Sequence, residues 1–239
     1  MKIILPMAGN GSRFFEAGYD QLKPLIDVNG KPMFVRVLEN IKHGTDVHVI
    51  IRQEHDIKYN LAHKIYKACP SAQVHILNEE TDGAATTVMK AVDGEALTGF
   101  LVANCDQLMV WDKDNFYTNL NGSAGCILTF TPNHNKPIHS YVTLDNDGYV
   151  TELAEKKMIS NIATVGVYYF RSQMAFKVAY KRMVESNDRT NGEFYLAPVY
   201  NYLNDKITTH HVDEFLGLGT PEELDQLKKS KWWDRLDEL

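Results

Sequence analysis

The chain has 239 residues, 44% of them hydrophobic and 23% charged, with a formal net charge of −6. This is a soluble globular composition with enough apolar material for one large α/β domain. A mildly acidic chain lacks the basic face that non-specific nucleic-acid binding needs, and no run approaches the about 18 apolar residues of a membrane span.

The three cysteines, Cys69, Cys105 and Cys126, are scattered, with no C-x-x-C pair. That argues against a disulfide framework or a zinc site and suggests a reducing compartment, so a cytoplasmic location is expected. The opening MKIILPMAGN has too short an apolar run for a signal peptide and leads into glycines.

KIILPM predicts a buried parallel strand closed by a glycine loop. PMFVRVLENI carries Met33, Phe34, Val37, Leu38 and Ile41 at helical spacing, with Pro32 at the first turn. DVHVIIR (Asp46–Arg52) predicts a strand, HDIKYNLAHKIYKAC a helix and QVHIL (Gln73–Leu77) a strand. The turn TDG then opens a small-residue helix, AATTVMKAV. GFLVANCDQ (Gly99–Gln107) predicts a fourth buried strand. Strand and helix alternate over these first ~105 residues, the pattern of a parallel sheet covered on both faces.

The remainder is richer in strands. AGCILTF, SYVTLD, GYVTELAE and IATVGVYYF each predict one, and DNDG (Asp145–Gly148) is a hairpin turn. Helices are expected over Gln173–Ser186 and Tyr195–Leu203, and one strand over Thr208–Gly217. GTPEELDQLKK starts a last helix, capped by Thr220 with Pro221 at its first position. The expectation is a single domain, residues 1–239, with one mixed, mostly parallel sheet: residues 1–110 hold a nucleotide and 111–239 shape the acceptor site.

The loop after the first strand, AGNGSR, leaves the sheet at its carboxyl edge, where ligands of open α/β sheets sit. Gly9 and Gly11 let backbone amides approach an anion, and Arg13 adds a forked cation suited to phosphate. The loop lacks the third glycine of a dinucleotide fingerprint and the G-K-[ST] of a P-loop. Alone, it is equally a plain strand-to-helix turn with a surface arginine.

Taken with LKPLIDVNGKPM (Leu22–Met33), MAGNGSRF resembles the two-part signature of the sugar-nucleotide pyrophosphorylases, a nucleotidyltransferase family. The resemblance runs nearly the full length and implies a three-layer αβα, Rossmann-like fold akin to the GT-A fold. It implies Arg13 and Lys23 as catalytic residues. Ala8, Gly9, Asn10, Gly11, Ser12, Gly83 and Asn104 would bind the nucleotide. Asp106, ending FLVANCDQ, would bind Mg²⁺, in line with that ion's preference for carboxylate and phosphate oxygens. LAEKK is similar to the family's E-K-P segment, which implies Glu155 and Lys156 at the acceptor. NIATVGVYYF and NGEFYLAPVYN add Gly166 and Glu193.

One departure stands out. Many members read W-x-D-x-G-T-P before the last helix, and that aspartate is a second metal ligand; FLGLGTPEEL has Gly217 there. Asp213 lies four residues earlier, ~13 Å away along a strand, and is a poor substitute.

The implied reaction joins a nucleoside triphosphate to a phosphorylated small molecule and releases pyrophosphate, with Mg²⁺ as cofactor. The acceptor is expected to be a sugar 1-phosphate or a small phospho-alcohol. Chain length and NCDQ resemble bacterial surface (capsular) polysaccharide members, and no repeat region like that of the bifunctional acetyltransferase branch is expected. Neither nucleic acid nor membrane is an expected partner. Trp232 and Trp233 are expected to cover an apolar patch of this chain or of a second copy, as in a homo-oligomer. His210 and His211, adjacent on a strand, point to opposite faces and are read as structural; YYF (Tyr168–Phe170) is read as core. Two rivals stay open: a GT-A glycosyltransferase, for which NCDQ lacks the D-x-D pair, and a non-catalytic nucleotide-binding domain.

Overall fold

The computed structural model describes residues 1–42, 46–94, 97–120 and 122–239. The chain opens with β1 (Lys2–Pro6), α1 (Ser12–Glu16), the short strands β2 (Asp27–Val28) and β3 (Lys31–Pro32), and α2 (Met33–Ile41). It continues through β4 (Asp46–Arg52), α3 (Gln53–Tyr59), α4 (Leu61–Ala68), β5 (Gln73–Leu77), α5 (Ala84–Val92) and β6 (Thr98–Ala103). Then come β7 (Gln107–Val110), α6 (Lys113–Asn119), β8 (Gly125–Phe130), β9 (Ser140–Leu144), β10 (Val150–Glu155) and β11 (Ala163–Ser172). The last elements are α7 (Gln173–Glu185), β12 (Ile207–His211), β13 (Glu214–Gly217) and α8 (Pro221–Lys228).

The main sheet runs β10-β9-β11-β6-β1-β4-β5, with β8 on β11 and β12 on β8. Its parallel part is β6-β1-β4-β5, the first four predicted strands; the long β11 joins it antiparallel along β6. Alternation along each strand feeds two apolar layers. Ile3, Leu5, Val47, Val49, Leu101 and Ala103 pack with α2 and α4 on one face. Ile4, Ile50, Phe100 and Val102 pack with α5 and α7 on the other. The result is a mixed αβα three-layer fold, as expected from the alternating pattern.

Four local expectations are corrected. The helix predicted from HDIKYNLAHKIYKAC is two helices, because Asn60 adopts φ 52° and the Asp56 carboxylate accepts from Ala62 N at 2.8 Å, starting a new helix. The strand predicted over Gly99–Gln107 stops at Ala103, and Gln107 begins β7, which pairs with β13 in a separate ribbon. The strand predicted over Thr208–Gly217 breaks into β12 and β13, which belong to different sheets, so Asp213 lies in the break rather than on a continuous strand. The helix expected over Tyr195–Leu203 is a 3₁₀ helix, Ala197–Tyr202.

Other expectations hold. Asp145 Oδ1 accepts from Asp147 N and Tyr149 N, closing the hairpin. Thr220 Oγ1 caps α8 by accepting from Glu223 N at 3.2 Å. Tyr168, Tyr169 and Phe170 are core, and all three cysteines are buried free thiols. His210 packs against Trp111 and Phe116, whereas His211 faces Thr129. Trp232 donates to Glu214, Trp233 O accepts from Asn29, and both rings rest on the core. Among the described residues no helix is long and apolar enough to cross a membrane.

Candidate active site

Two adjoining cavities open at the carboxyl edge of the parallel strands, where β1 and β6 hand over to loops. The first, of about 340 Å³, is lined by Ala8 through Arg13, Lys23, Glu80, Gly83, Glu193 and Gly219 among others. The second, of about 280 Å³, is lined by Asn104, Asp106, Gln107, Glu155, Lys156, Gly166, Tyr195 and Glu223 among others. Arg13, Ala84 and Gly219 belong to the walls of both.

The glycine loop is shaped by what lies behind it. Gly11 takes φ 66°, and a Cβ there would stand 3.0 Å from Lys23 Cβ, so the loop packs directly on the KPL turn. That turn, a 3₁₀ helix over Lys23–Leu25 anchored by buried Pro24 and Leu25, aims the Lys23 ammonium across the cleft. Lys23 Nζ lies 2.7 Å from Asp106 Oδ2, with both side chains about four-fifths buried. Burial pulls the ammonium pKa down, but the neighbouring Asp106 carboxylate more than offsets it, so the net shift is upward and Lys23 stays charged. The pair joins one cavity to the other. Asn10 Nδ2 donates to Glu80 Oε1 at 2.8 Å, and Arg52 Nη1 lies 3.3 Å from Glu80 Oε2, which fixes a carboxylate on the rim of the first cavity.

Gly83 serves a close approach, but to protein. At φ 129° its Cβ would stand 2.4 Å from Phe194 O and 2.6 Å from Phe194 N. Phe194 N donates to Asp82 O, and Ala85 N donates to Phe194 O. The TDG turn is therefore welded to the segment that carries Glu193. Gly166 does the same for Asn104: β11 is bulged there at φ 88°, and a Cβ would meet Asn104 Nδ2 at 2.6 Å. Asn104 N in turn donates to Gly166 O at 2.9 Å.

The second cavity carries the LAEKK residues. Ser140 Oγ makes a short hydrogen bond to Glu155 Oε2. Burial raises the Glu155 carboxyl pKa, and the Ser140 bond and the Lys156 charge only partly oppose it. Lys156 takes φ 52°, which turns its side chain so that Nζ donates to Tyr195 OH at 2.8 Å.

Of the residues singled out from sequence, the structure brings all to one cleft, with two redistributed. Asn104 lines the second cavity rather than the glycine-loop cavity, and Glu193 lines the glycine-loop cavity rather than the second. Sequence reasoning missed Ser140, Tyr195, Glu80, Gln107 and Glu223. Only Glu223 carried a signal, the T-x-x-E spacing from Thr220, which marks a helix start rather than a site.

Known proteins resemble this chain in sequence and in fold. The chain resembles the bifunctional protein GlmU of Methanococcus aeolicus, 27% identical over 181 residues, covering 73% of this chain and 41% of that protein. It thus spans about two-fifths of that relative's length. Among solved structures, a nucleoside-diphosphate-sugar pyrophosphorylase from Vibrio cholerae RC9 superposes with TM-score 0.80 at 25% identity, covering 95% of this chain and 100% of that one. The inositol-1-phosphate CTP transferase of T. maritima shares the fold, with TM-score 0.77 at 14% identity over 99% and 94% of the two chains. The sequence pattern described as Nucleotidyl transferase matches residues 1–210, and the chain belongs to that family.

Proposed function

We propose that this protein is a nucleotidyltransferase that joins a nucleoside triphosphate to a phosphorylated small molecule, a sugar 1-phosphate first of all, and releases pyrophosphate. The observation that carries the reading is the Lys23–Asp106 ion pair, which bridges a glycine-rimmed cavity and a second cavity holding Glu155 and Lys156. Membership of the nucleotidyl transferase family supports it over a glycosyltransferase or a non-catalytic binding domain.

In this reading the triphosphate lies along Ala8–Ser12, whose amides and the Arg13 guanidinium hold the β- and γ-phosphates. Lys23 meets the α-phosphate, where charge shifts during transfer. Lys156 holds the acceptor phosphate, and Glu155 takes acceptor hydroxyls. An acceptor phosphate oxygen attacks the α-phosphorus as the α–β bridging bond breaks, and pyrophosphate leaves with the electron pair. The phosphate is already ionised, so no side chain has to remove a proton. The residues fit a hard divalent ion: Asp106 offers carboxylate oxygen, and Gln107, which lines the same cavity, has a buried Oε1 with no protein partner. Mg²⁺ bound by Asp106 would supply charge neutralisation to the phosphate oxygens. The product would be a nucleotide-activated precursor for a surface polysaccharide, made in the cytoplasm.

The test is pyrophosphate release with CTP, UTP, dTTP, GTP and ATP, each paired with hexose 1-phosphates, heptose 1-phosphates and phosphocholine. A thermal-melt series accompanies it: a bound nucleotide at 100 times its dissociation constant adds ~2.7 kcal/mol, or roughly 5–10 °C here. One donor is expected to shift the melt and release pyrophosphate with one acceptor class. No shift and no release with any pair would overturn the reading.

A further inference from the structure

Asp106 has a carboxylate neighbour from a distant part of the chain. A methyl group built on Gly219 would stand 3.2 Å from Asp106 Oδ2 and 3.2 Å from Glu223 Oε2. The two carboxylate oxygens therefore both flank Gly219 and lie no farther apart than twice that distance. Glu223 reaches this place from the first turn of α8. Thr220 Oγ1 accepts from its backbone N–H, and its carboxylate folds back toward the Gly219 and Thr220 amides.

Gly217 is the complement of this arrangement. It lies in β13, and its backbone is not in the left-handed region that would call for glycine. A Cβ there would stand 2.7 Å from both the carboxyl carbon and Oε1 of Glu223. Glycine at 217 is thus what leaves room for the Glu223 carboxylate. The space that an aspartate at 217 would enter is already filled by a carboxylate from position 223.

A second, separate observation points to a ligand. Gln107, 1% exposed and opposite Gly217 in the β7–β13 ladder, donates through Nε2 to Asn104 O at 2.9 Å, while its buried Oε1 has no partner. It lines the same cavity as Asp106 and Glu223. Two carboxylates and an amide with an orphaned oxygen thus line one cavity, and oxygen donors of this kind suit a hard divalent cation, which keeps its other positions for water and phosphate.

We propose that Glu223 is the second carboxylate ligand of the divalent cation, replacing the aspartate that Gly217 lacks. The proposal rests on the nucleotidyltransferase reading. It makes the loss at 217 and the glutamate at 223 one coupled change: the ligand has moved from a strand end to a helix start while its carboxylate stays at the same place.

The test reads metal binding directly. Mn²⁺ is titrated into the full chain, alone and with inorganic pyrophosphate, and free Mn²⁺ is followed by electron paramagnetic resonance. Thermal melts confirm that each variant is folded. Glu223→Gln keeps an oxygen for the helix cap but loses the charge, and Mn²⁺ affinity is expected to fall about tenfold or more. Glu223→Ala is expected to fall at least as far. Adding Gly217→Asp to Glu223→Ala, which clears the space at 217, is expected to restore affinity to within about threefold of wild type. Folded Glu223→Gln and Glu223→Ala that bind Mn²⁺ like the wild type would overturn the assignment of Glu223 alone. A wild type that binds no Mn²⁺ in either condition would instead count against the metal-dependent reading on which it rests.

Discussion

Lys23 and Asp106, 83 positions apart in sequence, meet at 2.7 Å on the boundary between the two cavities. Each residue belongs to a different wall, so the pair fixes the distance between the two cavities. Removing the ammonium takes away charge where the transferred phosphorus would sit. Lys23→Ala is expected to lower turnover about 100- to 1000-fold while the nucleotide dissociation constant changes only a few-fold. Lys23→Arg should recover little, because a planar fork cannot replace the compact point charge that meets Asp106 Oδ2 at 2.7 Å. Steady-state kinetics with the donor found by the nucleotide panel decide this; a loss confined to KM would contradict it.

Gly83 and Gly166 shape the cleft through contacts with protein. At Gly166 an added methyl meets a side chain, Asn104 Nδ2 at 2.6 Å, and also incurs the cost of φ 88°. Gly166→Ala should destabilise by about 2–3 kcal/mol, of which Asn104→Ala in the same chain recovers about 1 kcal/mol. At Gly83 the obstacle is Phe194 backbone, which no side-chain truncation can clear. Gly83→Ala should therefore cost more than Gly166→Ala, with no rescue at a second site. Urea denaturation of the three variants against the wild type measures both differences; equal costs at the two glycines would refute the backbone argument.

The parallel half of the fold was legible because each strand is a short apolar run closed by glycine or polar residues. The αβα layering followed from the alternation of such runs with amphipathic helices. What the sequence concealed were breaks inside apolar runs. GFLVANCDQ reads as one strand, yet Asn104 docks on the Gly166 bulge and releases the chain into β7. Thr208–Gly217 reads as one strand because the change of sheet at Val212 and Asp213 leaves no glycine or proline behind. The glycine loop, Lys23 and Asp106 were legible because their motifs are local. Glu223 and Gln107 were not, since their place beside Asp106 depends on β13 and α8 returning to the cleft.

One buried and one half-buried histidine, His55 and His139, set an acid limit on stability. Burial, with the Arg52 charge, lowers the His55 pKa from 6.5 to about 4, and burial, with His134, lowers His139 to about 4. His55 is 5% exposed, and its Nδ1 has no partner. Between pH 6.5 and 4 the unfolded chain binds these protons and the folded chain does not, so stability falls as pH falls through that window and is level above it. One such proton contributes a slope of up to about 1.4 kcal/mol per pH unit. His55→Gln should reduce the slope between pH 6.5 and 4 whatever it does to stability at pH 7. Urea midpoints across the window measure it, and an unchanged slope would show that His55 is already protonated in the folded state.

Lys156 is held in a left-handed conformation, and its ammonium rests on Tyr195, 2.8 Å from the hydroxyl and 4.9 Å from the ring centre. The tyrosine thus aims the cation that the acceptor phosphate would meet, without touching the nucleotide side. Tyr195→Phe removes the hydrogen bond but keeps the ring under the ammonium, so the side chain loses one of two restraints. The acceptor KM should rise about 3- to 10-fold, the scale of one ordinary net hydrogen bond, while the nucleotide KM stays within twofold. Lys156→Met should raise the acceptor KM further, and adding Tyr195→Phe to it should change nothing more, since the hydroxyl then has no ammonium to orient. Additive effects of the two substitutions would show that Tyr195 meets the acceptor directly rather than through Lys156.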